Sequence, residues 1–261
     1  MDSKADEAAF QVAVSDREQS KIGTGDTAKT VERTIYYYAQ RTPGQDILIQ
    51  PLSAEFLPAG EKTPIDQATF IKRFRPEPLI YYNKVKPAMD AVARELKKGD
   101  RHLAAGRLEK AEASFKSVLE VDSDNIRAIF SLGITYLEGG NTDEALEIFN
   151  KIMSLELAFG PEHVHLFNEF GIRMRKSCML DKALAYYRRA VNLNPGDEHL
   201  LFNMARIHFE LEDFQSAGDY LRQALAINPG FAIATKMLSA VDKVTALAEK
   251  KAAQDTPPAE S

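Results

Sequence analysis

The sequence predicts a mainly α-helical chain. It reads as an α-solenoid of about four helix–turn–helix repeats with a C-terminal capping helix, preceded by a small α+β module with a β-hairpin. Two observations predict the solenoid. Small residues recur in one register, Gly99, Gly133, Gly171 and Ala205, at a spacing of about 34 residues. A second register, Ala111, Ala145, Ala183 and Ala217, is followed four residues later by Phe115, Phe149, Tyr187 and Leu221. A third observation separates off the front of the chain: between Val31 and Pro87 the composition shifts to Tyr, Ile, Phe, Leu and Pro.

Taken in order, residues 1–28 are rich in Ala, Asp, Glu, Gln, Ser and Gly and are expected to be disordered. Residues 29–86 form the small module. Thr34–Ala39 and Asp46–Gln50 read as strands joined by a turn through Pro43-Gly44, hence a β-hairpin. Thr63-Pro64-Ile65-Asp66 has the form of a helix start, with a hydroxyl cap, a proline in the first turn and an acid at the positive helix end. That helix is expected to run through Phe74 and stop before Pro76. A lone hairpin is marginal in water, so the module needs a surface to dock on.

The first repeat helix suggests the surface. Other units carry apolar inward pairs, Ile129 and Leu132 or Phe167 and Phe170, where the first unit has Glu95 and Lys98. Its apolar stripe runs instead through Val85, Met89, Val92, Leu96 and Leu103. The repeats are placed at about 92–125, 126–159, 164–197 and 198–231, within a solenoid of residues 87–231. In each, the small residues let two helices approach and the large residue one turn on fills the gap to the next pair. Val118, Ile152, Ala190 and Ala224 lie three residues further along the same face. Asp124, Asn141 and Asp197 stand where caps are needed. Asn194-Pro195-Gly196 and Asn228-Pro229-Gly230 read as helix stops, proline ending the helix and glycine taking the left-handed backbone. Residues 232–251, with Ile233, Met237, Val241 and Val244 on one side, read as a capping helix, and 252–261 as a flexible tail.

These registers resemble the tetratricopeptide repeat family over a little more than half of the 261 residues. The resemblance implies a protein-binding module whose concave face is lined by the first helix of each pair. The implied lining residues are Arg127, Phe130, Ser131, Ile134 and Leu137 in the second unit, and His165, Asn168, Glu169, Ile172 and Arg175 in the third. The fourth contributes His199, Phe202, Asn203, Arg206 and Phe209. An apolar and aromatic strip with three arginines suits a short peptide or partner helix, and Arg175 with Arg206 suits an acidic or carboxylate-bearing one. The carboxylate clamp of the family's chaperone-binding members does not fit. Its five positions are occupied by Leu96, Asp100, Ser131, His165 and Glu169 in one frame, and by Phe130, Ile134, Glu169, His199 and Asn203 in the next.

Charge and motifs narrow the function further. A net charge of −5 argues against a general binder of nucleic-acid backbones. No apolar run reaches the roughly 18–20 residues of a membrane span. The start, Met1-Asp2-Ser3-Lys4, lacks the apolar core of a secretory signal, and the single Cys178 fits a reducing compartment, so a cytoplasmic location is expected. Gly23–Thr30 has the spacing of a phosphate loop but carries Ala28 where that loop needs glycine, and no buried strand is expected before it. His163, His165 and His199 match no common metal spacing. The reading is a non-catalytic adaptor or scaffold with no cofactor and no metal, its partner another protein. A self-assembling scaffold, and a ligand sensor or enzyme using the N-terminal module, remain as alternatives.

Overall fold

Phe10, Val12 and Val14 alternate with Gln11, Ala13 and Ser15, and this two-residue period builds a strand where disorder was expected. The computed structural model describes residues 9–22, 29–42, 45–160 and 163–255. The chain forms two compact units. One comprises Met1–Arg101 and Lys116–Asp124, the other His102–Phe115 and Asn125–Ser261.

The first unit holds β1 (Phe10–Ile22), β2 (Lys29–Arg41), β3 (Ile47–Pro51), β4 (Thr63–Ile65) and β5 (Arg75–Pro76) in one antiparallel sheet of order β4-β3-β2-β1-β5. The expected hairpin is its β2–β3 pair, with Tyr38 opposite Gln50 and Ala39 opposite Ile49. Residues 10–22, assigned to the disordered segment, instead supply β1, which lies between β2 and β5. The polar run from Asp16 to Lys21 hid it. That half of β1 is held by its ladder to β2 and not by apolar alternation.

Successive side chains of β1 and β2 serve opposite faces. Val14 and Ala39 pack with Phe74, beside Phe70 of α1 (Gln67–Arg73), while Ala13 and Tyr38 pack with Tyr81 and Val85. The latter pair sits in a helix that runs from α2 (Pro78–Ile80) through a π-turn (Tyr81–Val85) into α3 (Lys86–Ala104). The sheet is therefore covered on both sides, and Val85 and Met89 of the predicted stripe meet it. The boundary expected at residues 86 and 87 falls inside this continuous helical run. Thr63 does not cap a helix. Thr63–Ile65 pairs with β3, and Asp66 caps α1 by accepting from the Thr69 N–H at 2.9 Å. Asp16 is buried and accepts from Arg73 Nε at 2.6 Å, and the Ser15 hydroxyl donates to Glu77 at 2.8 Å.

Beyond α3, helices pair as the repeat dictates: α4 (Leu108–Val121), α5 (Ile126–Gly139) with α6 (Thr142–Ser154), α7 (Val164–Lys176) with α8 (Leu180–Leu193), and α9 (Glu198–Glu210) with α10 (Phe214–Ile227). The closing helix, α11 (Ala232–Asp255), extends four residues past the expected end at 251, so part of the segment read as a tail is helical. Ala111, Ala145, Ala183 and Ala217 are at most 1 % exposed. A β-carbon on Gly133 would come within 2.6 Å of the Phe170 ring, and one on Gly171 would collide with the Tyr187 ring. Close approach at these glycines is what the repeat requires.

The helix ends differ from expectation in detail. Asp197 caps α9 as expected, accepting from His199 N and Leu200 N. Asn125 caps α5 in place of Asp124, and Asn141 precedes α6 without a side-chain capping bond. Gly196 and Gly230 do not adopt positive φ, which among the described glycines belongs to Gly60, Gly106 and Gly140. The asparagines of the two stops do the work instead. Asn194 Nδ2 donates to Phe159 O at 3.0 Å, and Asn228 Nδ2 to Glu198 at 2.9 Å. Ile233 is 61 % exposed and does not join Val241, which is buried with Ala234.

Two outcomes test this architecture. Ala183→Leu should lower unfolding free energy by about 1–3 kcal/mol in urea, because the new methyls have no space to enter. Deleting residues 1–22 removes a central strand, so the β-sheet signal in circular dichroism should be lost. A tail of no structural consequence would leave that signal intact.

Candidate partner-binding face

Helices α5, α7 and α9 are the first members of successive pairs, and a stacked repeat brings equivalent side chains of neighbours together. The structure sorts the predicted lining residues into two groups. Phe130 (0 % exposed), Ile134 and Leu137 are buried, as is Ser131, and Phe130 meets the Phe170 ring edge to face at 5.8 Å. These side chains of the second unit are spent on packing and offer a partner no surface, so their assignment to the lining is corrected. Of that unit's predicted lining residues only Arg127 is exposed.

The third and fourth units are more open. Asn168, Ile172, Phe202, Arg206 and Phe209 are half-buried, while Arg175 and Asn203 are buried. Phe202 lies 5.2 Å from the Phe231 ring and Phe209 5.4 Å from Phe214, so both are partly anchored in the last core cluster. His165 and Glu169 are exposed, and His199 packs edge to face on Phe231.

Polar ties cross from α7 to α9. Asn203 Nδ2 donates to Asn168 Oδ1 at 3.3 Å, and Arg175 Nη1 donates to Glu210. Arg173 of α7 binds Glu138 of α5 and also its own neighbour Glu169. The partners Glu138 and Arg173, Asn168 and Asn203, and Arg175 and Glu210 are each 35 residues apart and join neighbouring first helices. Sequence reasoning missed Glu210 and Glu138. Their signal was this 35-residue offset between opposite charges.

Arg206 stands differently. Among the described residues it makes no ion pair within 4 Å, and its guanidinium lies 5.9 Å from the centre of the Phe202 ring. Burial, and then the positive charge of Arg175, hold its pKa below the ordinary arginine value, with Glu210 and Tyr187 opposing in part. The Tyr187 hydroxyl donates to Asn168 O at 3.3 Å; burial pushes its pKa up, against the pull of Arg175 and Arg206. Arg175 Nε is buried without a hydrogen-bond partner.

Other candidates find less structure around them. Among the described residues no group of three or more His, Cys, Asp or Glu side chains could hold a metal ion, and no helix is long and apolar enough to cross a membrane. Residues 23–28 of the phosphate-loop-like segment lie outside the described residues, while Lys29 and Thr30 open β2. Cys178 is exposed in the turn between α7 and α8.

Comparison with known proteins agrees with the helical pairs. Residues 102–156 and 179–241 match the family model described as tetratricopeptide repeat. The human protein O-mannosyl-transferase TMTC1 is 27 % identical over 139 residues, 53 % of this chain and 16 % of that protein. A tetratricopeptide repeat and J domain-containing co-chaperone of Fusarium oxysporum is 30 % identical over 133 residues, 51 % of this chain and 25 % of its own. The chain thus spans a quarter or less of these relatives. The solved structure of MamA protein has 20 % identity and a TM-score of 0.48, covering 62 % of this chain and 86 % of that one. The registers and the helical pairs agree with the family model, which identifies residues 102–156 and 179–241 as tetratricopeptide repeats.

Proposed function

We propose that the chain is a non-catalytic, cytoplasmic adaptor that takes up a peptide or helix of another protein along the α7–α9 face. Tetratricopeptide repeats are protein-binding modules, which supplies the coarse class. The observation that carries the finer reading is the run of half-buried Asn168, Ile172, Phe202, Arg206 and Phe209 on consecutive first helices. Their equivalents on α5 are closed by packing, so the proposed face is shorter than the strip of three units. Half-buried aromatic and arginine side chains are what interface anchors usually are. Cys178, exposed and free, is compatible with a reducing compartment.

Selection of a random peptide library on the full-length chain tests this. The best peptide should bind Ile172→Glu and Phe202→Ala more weakly by about 1–3 kcal/mol, while the helical signal and unfolding midpoint stay close to wild type. Binding lost only together with the fold would return both side chains to the core and end the reading.

A further inference from the structure

Arg175, Arg206, Glu210 and Tyr187 converge between α7, α8 and α9. Arg175 bonds Glu210, and Arg206 stands one helical turn before Glu210 on α9, so two guanidinium groups with one carboxylate leave one positive charge in excess. Arg175 is 9 % exposed and half of its donor fork is used: Nη1 meets Glu210, whereas Nε is buried with no acceptor. Arg206 is half-buried and has no ion-pair partner within 4 Å among the described residues. A partly desolvated charge without a counter-charge is costly, and a buried donor without an acceptor adds to that cost. An anion would lower both costs.

We propose that the Arg175–Arg206 pair is the carboxylate-binding subsite of this face, receiving a single aspartate or glutamate side chain or a C-terminal carboxylate from the bound segment. This rests on the peptide-binding reading of the α7–α9 face. The two arginines stand at the twelfth position of one unit and the ninth of the next, so the subsite is unlike the five-position clamp that the sequence excludes. Charge decides for a carboxylate over a phosphate. One excess positive charge is neutralised by one negative charge, whereas a phosphate near −2 would overshoot beside Glu210. Guanidinium also matches a carboxylate fork to fork, which fixes its orientation as well as its charge. Beside it, the half-buried Asn168, held by Asn203, offers an amide group to the backbone of an extended segment, and Phe202 an aromatic surface.

The experiment uses the full-length chain and the best peptide from the library selection. Each of its carboxylates is changed to the amide isostere, and affinities are compared for wild type, Arg206→Gln and, as a charge control, the exposed Arg222→Gln. One amide substitution should weaken binding to wild type at least about tenfold. Arg206→Gln should lose the same factor for the acidic peptide and lose nothing further for its amide form. Arg222→Gln should stay within about twofold of wild type. The thermal midpoint of Arg206→Gln should stay level or rise, since the charge removed has no ion-pair partner within 4 Å among the described residues. Selected peptides that bind as well in amide form, or that bind Arg206→Gln unchanged, overturn the subsite and leave the peptide-binding face standing. A midpoint lowered by more than about 5 °C makes Arg206 structural and also overturns it. A library that yields no peptide at all strikes the face itself, and the subsite with it.

Discussion

The close approach of helices at Gly133, Gly171 and Ala205 sets the geometry on which the helical pairs depend. With no β-carbon at Gly171, the Tyr187 ring lies against the backbone of α7, and its hydroxyl reaches Asn168 O. The alanines at 145, 183 and 217 complete the approach from the second helices, each almost wholly buried. Large side chains then fill what the small ones leave open, and the core between pairs is aromatic: Phe130 on Phe170, Phe170 on Tyr186, Tyr186 on Tyr187. Stability in such a stack is a sum over neighbours, so a side chain that closes one gap is not free for another task. That exclusion explains why Phe130 and Ile134 are core residues while Ile172 and Phe202, at equivalent or adjacent positions, retain exposed surface.

The same periodicity arranges the polar groups. First helices of neighbouring units lie side by side, so unlike charges 35 residues apart on them meet in a bond. Glu138 with Arg173 and Arg175 with Glu210 are two cases, and Asn168 with Asn203 is a neutral one. The stop asparagines extend the pattern, since Asn194 is tied to Phe159 across the same distance. These bonds are partly exposed, and exposed ion pairs contribute little stability. Their consequence is orientation. They hold the first-helix side chains of adjacent units in register, which is what a surface needs if it is to meet an extended segment at several points.

The helical half was legible because its signal is redundant. Four copies of one small-residue register fix pair boundaries to within a few residues, even though no single copy is decisive. The N-terminal sheet had no such redundancy. Phe10, Val12 and Val14 gave only three alternating apolar residues before Asp16 began a polar run, and composition outweighed periodicity. What makes β1 a strand is long-range: thirteen residues laddered to β2, and Asp16 buried against Arg73. Neither can be read from local sequence. Capping failed for a related reason. Asp124 and Asn125 are adjacent candidates of similar propensity, and the choice between them follows from where the chain turns. The lining residues of α5 failed because the family register gives direction along a helix but not how deeply the next pair buries it.

Arg175 and Arg206 show how a register can be right in position and silent on state. Arg175 reaches Glu210, which stands one helical turn from Arg206 on α9. Position alone would make them a matched pair. The structure makes them unequal: Arg175 is buried and anchored to Glu210, and Arg206 is half-buried with no ion pair within 4 Å among the described residues. An anchored arginine costs a domain little, because its charge is already met. An unmet one is a standing cost, and packing offered cheaper choices, as the half-buried Ile172 on the neighbouring helix illustrates. On the proposed subsite the asymmetry would divide the work, with Arg175 fixing the geometry and Arg206 supplying the free charge.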